Sequence, residues 1–368
     1  MTQFKRPESP LAARHRELGS NLEDWNGVGT AWSYNSDAND EHDAYRERAT
    51  LTDVSGLKKV WVRGPDAFAV VDHTCSRALK NVGTDKCAYT LILTDEGTVT
   101  DDAIVYNLGD KGWLVVHGGG FAMEMLQASA EGKDATVELD DTFNSISLQG
   151  PAALGVLNPM LEADIEPMGV FGQTVTTMLG HEVIISRTGF SGERGYEVYA
   201  DGDKIGEIWD AILEAGKDAG VMPASFASLD KVRLEFGLLF YPYDMNESTT
   251  PWEINLPWCV GKDKDFRGKA ACDASKGKEN IKLVGLISSL SEAAPESSKL
   301  FSNDSEVGAI NSPGYSHRMG ASISLGHVTP DLAAPGTELE VKAEDGTTFT
   351  ATVTAMPMYD PQKTNMRD

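Results

Sequence analysis

The chain has no run of about 18 apolar residues, so no membrane-spanning helix is expected. Its first stretch, "MTQFKRPESPLAARHRELG", has no apolar core and is not expected to act as a secretory signal. Cysteine is scarce: Cys75, Cys87, Cys259 and Cys272 are scattered without a CxxC pair. They read as free thiols of a reducing cytoplasm rather than a disulfide framework or a zinc site. The seven histidines never fall in metal-ligand spacing, so no metal is expected. GxxxxGK[ST], HExxH and a GxGxxG following a strand are all missing, which sets aside nucleoside triphosphates, zincin chemistry and dinucleotides. "HGGGF" (117–121) resembles a lipase oxyanion loop, yet no GxSxG accompanies it. Positive charge is also in short supply. With 32 Lys and Arg against 56 Asp and Glu, the net charge of -24 argues against nucleic acids and anionic membranes as partners, since both are polyanions. It disfavours an acidic protein partner for the same reason, and solubility is its plainest use.

What is present is a chain of 368 residues, long enough for two or three domains. A weak internal echo runs through its first half: "VRGPDAFAVVDHTCS" from Val62 and "LQGPAALGVLNPM" from Leu148. Each joins a strand-like lead to a Gly-Pro and a short helical pattern, and Pro suits a helix start because its missing N–H is not needed there. Strands follow each echo, at 113–120 and within 181–200, which suggests an α+β region built from two related halves. "DKIGEIWDAILEAGKDA" (203–219) carries Ile205, Ile208, Trp209, Ile212 and Leu213 on one helical face. A second helix is expected over 227–236 with Gly237 as its stop. From Ile281 short strands alternate with Gly, Pro and Asp turns, the texture of a compact antiparallel β domain, with 290–304 as a polar loop.

The stretch "TVTDDAIVYNL" sets two aspartates ahead of a short apolar run, Ala103 to Tyr106, that reads as a buried strand. Carboxylates are seldom buried without a partner. A carboxylate at the mouth of a strand can close an Asx-turn, or it can orient a ligand and bias the charge around its reacting atom.

Seven segments in order resemble the glycine-cleavage T-protein family, the tetrahydrofolate-dependent aminomethyltransferases and their demethylase relatives. They are "LTDVSGLKKVWVRGPDA", "LTDEGTVTDDAIVYNL", "SISLQGPAA", "SRTGFSGERGYEVY", "DKVRLEFGLLFYPYDMNESTTPWEINLPWCV", "KDFRGKAA" and "INSPGYSHRMGASISLGHV". The resemblance spans nearly the whole chain. It implies an α+β, three-domain cloverleaf around a folate channel, closed by a C-terminal antiparallel β-barrel. The implied division is 1–52, 144–158 and 226–280 for the first domain, 53–143 and 159–225 for a ferredoxin-like second, and 281–368 for the barrel. It also implies tetrahydrofolate as the cofactor and gives the residues roles. Asp102 is the catalytic carboxylate, while Asp101 faces water or caps the turn. Glu197 of "GFSGERGYEVY", beside Glu193, matches the pterin-binding glutamate. Arg233 and Tyr241 match folate-binding positions, although Arg233 could equally pair with Glu235 or Asp230.

The departures from the family pattern cluster around the implied channel. "DVSHM" becomes "DVSGL" at 53–57, "YGND" becomes Tyr241-Pro242-Tyr243-Asp244, a folate-binding asparagine is replaced at Gly118, and an arginine becomes Leu229. They weaken the glycine-cleavage reaction, whose aminomethyl group arrives on a lipoyl arm of an acidic carrier that a chain at -24 would repel. The expectation is therefore a cytoplasmic methyltransferase acting as a demethylase. It would move a methyl group from a small sulfonium, betaine or N-methyl, or aryl methyl ether donor to N5 of tetrahydrofolate. A cationic donor would sit on aromatic faces, with Trp32, Tyr34 and Trp252 the candidates beside Trp25 and Tyr243. An aryl ether would want an acid, for which Tyr243 is placed. The T-protein reaction is the alternative. A non-catalytic iron–sulfur assembly role is the third, and "KDFRGKAA" lacks the cysteine of that group's "KGCYxGQE".

Overall fold

A computed structural model describes residues 4–367. Two sheets and a barrel organise them. A five-stranded sheet takes the order Cys87–Leu93, Val99–Asn107, Trp113–His117, Lys58–Arg63, Thr136–Leu139. A six-stranded sheet runs Gln173–Met178, His181–Ser186, Gly195–Asp201, Phe143–Gln149, Thr50–Asp53, Met222–Pro223. Pairing therefore joins Gly195–Asp201 to Phe143–Gln149 and Thr50–Asp53, across the expected line between the first two domains.

Alternation along the strands decides what each face meets. In the five-stranded sheet Val60, Val62, Ala103, Val105 and Val115 pack under the helices Ala67–Thr74 and Ala122–Ala130. In the six-stranded sheet Ile146, Leu148, Ile185 and Val198 pack under the helix Gly202–Ala215 through Ile205, Ile208, Trp209 and Ile212. That helix carries the expected face but ends at Gly216, short of Ala219. The opposite faces of the two sheets meet each other, with Trp61, Tyr106, Leu114 and Val116 on one side and Ile184 and Tyr199 on the other. A second helix, Phe226–Phe236, stops where expected, because Gly237 takes the left-handed conformation at φ 73° that a side chain disfavours.

The C-terminal region is a closed antiparallel barrel of six strands, and the chain has the α+β architecture and terminal barrel expected. One element corrects the sequence reading: Lys299–Ser302 is a strand inside the segment taken as a polar loop. It pairs with both Ser305–Ser316 and Glu338–Lys342 and so closes the barrel. Its one strongly apolar anchor, Leu300, is fully buried, and four residues are too few for alternation to stand out. The barrel is tied to the body by Glu235. This buried carboxylate takes Arg46 at 2.6 Å, His42 at 3.0 Å and the hydroxyl of Ser316.

Candidate functional site at the facing sheets

The aspartate pair lies inside the strand Val99–Asn107, not at its mouth. Consecutive residues must therefore point to opposite faces. Asp102 points with Ile104 and Tyr106 toward the other sheet. Asp101 points with Ala103 and Val105 toward the helices, where it is fully buried. That corrects the expectation that Asp101 faces water. Its carboxylate accepts from His117 Nδ1 at 2.7 Å, the Ala122 N–H at 3.2 Å and the Asp102 N–H at 2.9 Å.

Register builds rows across the face that carries Asp102. Cys87, Tyr106, Leu114 and Trp61 lie in one row, and Tyr89, Ile104, Val116 and Lys59 in the next. Leu91 and Asp102 follow, and one step past the end of the ladder at His117 comes Gly118. Asp102 is half-buried and shares a hydrogen bond with the Tyr89 hydroxyl. Burial, then the charge of Asp101, push its carboxyl up to about 7, against the pull of Tyr89. A carboxyl at that value can both give and take a proton near neutrality.

On the facing sheet, the row Ile184, Tyr199, Ser145 gives way to one that is polar throughout: Ser186, Glu197, Ser147, Thr52. Glu197 is buried, and its Oε2 accepts from Thr188 Oγ1 at 2.6 Å and from the Tyr199 hydroxyl at 2.8 Å. Burial raises this carboxyl, while the two hydroxyls and the charge of Lys59 oppose the rise. Lys59 is itself fully buried, with Nζ donating to the carbonyls of Ser55 at 3.1 Å and Leu57 at 3.0 Å. Burial, with Arg6 adding to it, pushes its ammonium down to about 7 against Asp53 and Glu197.

Two glycines at which the sequence leaves the family pattern shape this region. A Cβ at Gly56 would lie 2.3 Å from the ring of Trp25, so the indole occupies what a side chain there would need. A Cβ at Gly118 would meet nothing within 4 Å, which leaves open space in the row of Asp102.

The other sequence candidates divide. Tyr241 donates to Glu247 at 2.7 Å and feels the charge of Asp101, which sets it near the aspartate pair. Tyr243 is 57% exposed, its ring stacked on Phe240 at 5.8 Å. Trp32 stacks on Phe226 at 4.7 Å. The Tyr34 hydroxyl meets His15 Nδ1 at 2.9 Å, and His15 Nε2 meets Asp53, a buried chain that holds the N-terminal segment. Trp252 is core: its N–H donates to the Cys272 carbonyl at 2.7 Å among Leu91, Leu93 and Val99. Arg233 spends all three nitrogens inside the protein, on Asp230, Leu238, Asp244 and Ser312. Of the pairings foreseen for it, the one to Asp230 forms. Leu229 is buried beside Tyr45 and Phe226, so this departure serves packing. Tyr89, Lys59 and His117 escaped the sequence reading. The strand register was their signal, since Tyr89 and Lys59 share one row and His117 stands opposite Ala103.

All four cysteines are buried free thiols. Among the described residues no helix is long and apolar enough to cross a membrane.

Residues 11–264 match the family model of the GCVT N-terminal domain, and residues 282–360 that of the glycine cleavage T-protein C-terminal barrel domain. The chain is 39% identical to the heme-dependent oxidative N-demethylase gamma subunit of Ectopseudomonas mendocina (strain ymp), over 96% of each chain. It is 32% identical to an aminomethyltransferase of Streptomyces avermitilis, over 96% of this chain and 97% of the relative. The crystal structure of glycine cleavage system aminomethyltransferase T from Bartonella henselae superposes with a TM-score of 0.89 at 23% identity, covering 96% of this chain and 98% of that one. That likeness speaks for the fold.

Proposed function

The chain belongs to the glycine-cleavage T-protein family, an enzyme family of folate-dependent transferases, and from that premise we propose that it loads tetrahydrofolate with a one-carbon unit released from an N-methylated donor. The observation that carries this reading is Asp102, a half-buried carboxyl poised near neutrality on a face opposite Glu197. Glu197 Oε1 suits the N–H and amino donors of a pterin. Asp102, hydrogen-bonded to Tyr89, would then serve the reacting end of the same ring. The relative at 39% identity, an N-demethylase subunit by name, supports the N-methyl class of donor over sulfonium and aryl ether.

The proton chemistry sharpens the choice. Direct methyl transfer from an onium donor forms the N5–C bond as the donor's C–N bond breaks, and the amine leaves neutral, so no acid is needed. If the N-methyl group is first oxidised by two electrons outside this chain, by an electron acceptor of the demethylating enzyme, the carbon arrives as formaldehyde: N5 adds to the carbonyl and the carbinol oxygen must leave as water. N10 then closes the ring, giving 5,10-methylenetetrahydrofolate. That route needs a group that donates a proton and takes one back, and Asp102 fits it better than Tyr243, whose ring stacks on Phe240 at the surface.

The test is mass spectrometry of the folate pool after anaerobic incubation of the protein with tetrahydrofolate and, in separate arms, formaldehyde or an onium donor. Enzyme-dependent formation of methylene-tetrahydrofolate is expected in the formaldehyde arm. Production of 5-methyltetrahydrofolate from an onium donor would assign direct methyl transfer instead. A product formed only with an aminomethylated lipoyl carrier would assign the T-protein reaction and overturn the proposal.

A further inference from the structure

We infer that His117 is a positioning residue for the site carboxylate: it fixes the buried Asp101 carboxylate directly behind Asp102, so that the charge of Asp101 bears on Asp102. The inference rests on Asp102 being the reacting-site carboxyl.

The geometry begins with three donors that converge on Asp101: His117 Nδ1, the Ala122 N–H and the Asp102 N–H, at 2.7, 3.2 and 2.9 Å. Three donors occupy the acceptor oxygens of the carboxylate and fix its orientation. His117 is 1% exposed, and among the described residues its Nε2 has no partner. The short contact therefore assigns the donor hydrogen to Nδ1, which gives it to Asp101 and leaves a lone pair at Nε2. One residue along the strand, Asp102 meets the charge of Asp101 through a single peptide unit.

The glycine run of "HGGG" belongs to this device. A Cβ at Gly120 would fall 2.6 Å from Asp101 Cγ and 2.2 Å from the Thr100 carbonyl, so only glycine lets this turn close over the buried carboxylate. Other titratable groups around the pair are Tyr89 on the neighbouring strand, Lys58 opposite His117, and Cys259. Tyr241 and Glu247 reach it from the segment packed on Thr100. The helix Ala122–Ala130 offers Asp101 only its first N–H.

The experiment is a direct titration of Asp102 by carboxyl 13C NMR, the signal assigned by its loss in Asp102→Asn. Wild type, Asp101→Asn, His117→Asn and His117→Leu are compared. Asn can present an N–H where His117 Nδ1 stands, and Leu cannot. The midpoint is expected to fall by about one pH unit or more in Asp101→Asn and in His117→Leu. It is expected to stay near the wild-type value in His117→Asn. An unchanged midpoint in Asp101→Asn, or identical midpoints in the two His117 variants, would overturn the inference. If Asp101→Asn does not fold, the His117 pair decides alone. The readout needs no turnover, so failure to make methylene-tetrahydrofolate would count against the proposed reaction and leave this inference standing.

Discussion

Replacing Lys59 by Met isolates one buried charge, and its effect on stability can be worked from the structure. The ammonium is held down from 10.5 to about 7 by burial, with Arg6 adding to the effect and Asp53 and Glu197 opposing it. In the unfolded chain it returns to the ordinary lysine value near 10.4. Between those two values the unfolded state binds more protons than the folded one, so wild-type stability must rise with pH across that window. The slope is at most about 1.4 kcal/mol per pH unit, and the whole span is worth about 5 kcal/mol as an order of magnitude. Lys59→Met abolishes this contribution. Its stability at any one pH is a poor test, because Met relieves the buried charge but strands the carbonyls of Ser55 and Leu57, which costs about 1–3 kcal/mol each. The difference between the two proteins as a function of pH is the clean quantity, since all other titrations cancel. Urea unfolding of both at pH 6.5, 8 and 9.5 is expected to show wild type gaining several kcal/mol on the variant. Parallel stability curves would mean that Lys59 is not a depressed, buried ammonium.

Three further outcomes are expected. Asp102→Asn should cut formation of the folate product by about 10²–10⁴-fold. It should be at least as stable as wild type at pH 8, because folding raises this carboxyl and its ionisation therefore costs stability above the unfolded value; a thermal scan beside the folate assay checks both. Glu197→Gln should weaken tetrahydrofolate binding by about 10–100-fold, the loss of one or two charge-assisted hydrogen bonds; equal affinity by fluorescence titration would remove Glu197 from the pterin. Leu300→Ala should cost about 2–5 kcal/mol by emptying the interior of the barrel at its shortest strand, read from denaturant unfolding.

The architecture was legible where a pattern repeats. The helix at 202–215 shows its apolar face over nearly four turns, and Gly237 announces the end of the next. Lys299–Ser302 was hidden because its pairing is set by barrel closure rather than by its own sequence. At the site, the resemblance singled out Asp102 and Glu197, and the structure places both on facing sheets. The role of Asp101 was misread because the expected strand began at Ala103. Starting it at Val99 reverses the question, since adjacent aspartates in a strand cannot share an environment. Trp252 was a candidate for its aromatic face, and the fold sets that ring among Leu91, Leu93 and Val99. For Arg233 the pair with Asp230 was legible in sequence, while Asp244 is brought to it by the fold alone.

The two facing sheets explain why the site lies where it does. Their contact is sealed by Trp61, Tyr106, Leu114, Ile184 and Tyr199, and a sealed contact excludes water from the rows beside it. One row further, each sheet turns polar: Lys59 and then Asp102 on one side, Glu197 on the other. In water an aspartate and a lysine titrate more than six units apart. Here burial drives both toward about 7, from opposite directions. Neither charge is secure in so dry a place, so a ligand that brings its own donors and acceptors can settle which groups are ionised. Glu197, its Oε2 held by Thr188 and Tyr199, faces these groups from the other sheet. The sequence leaves the family pattern at Gly56 and Gly118. The indole of Trp25 lies against the first, while the space over the second is open.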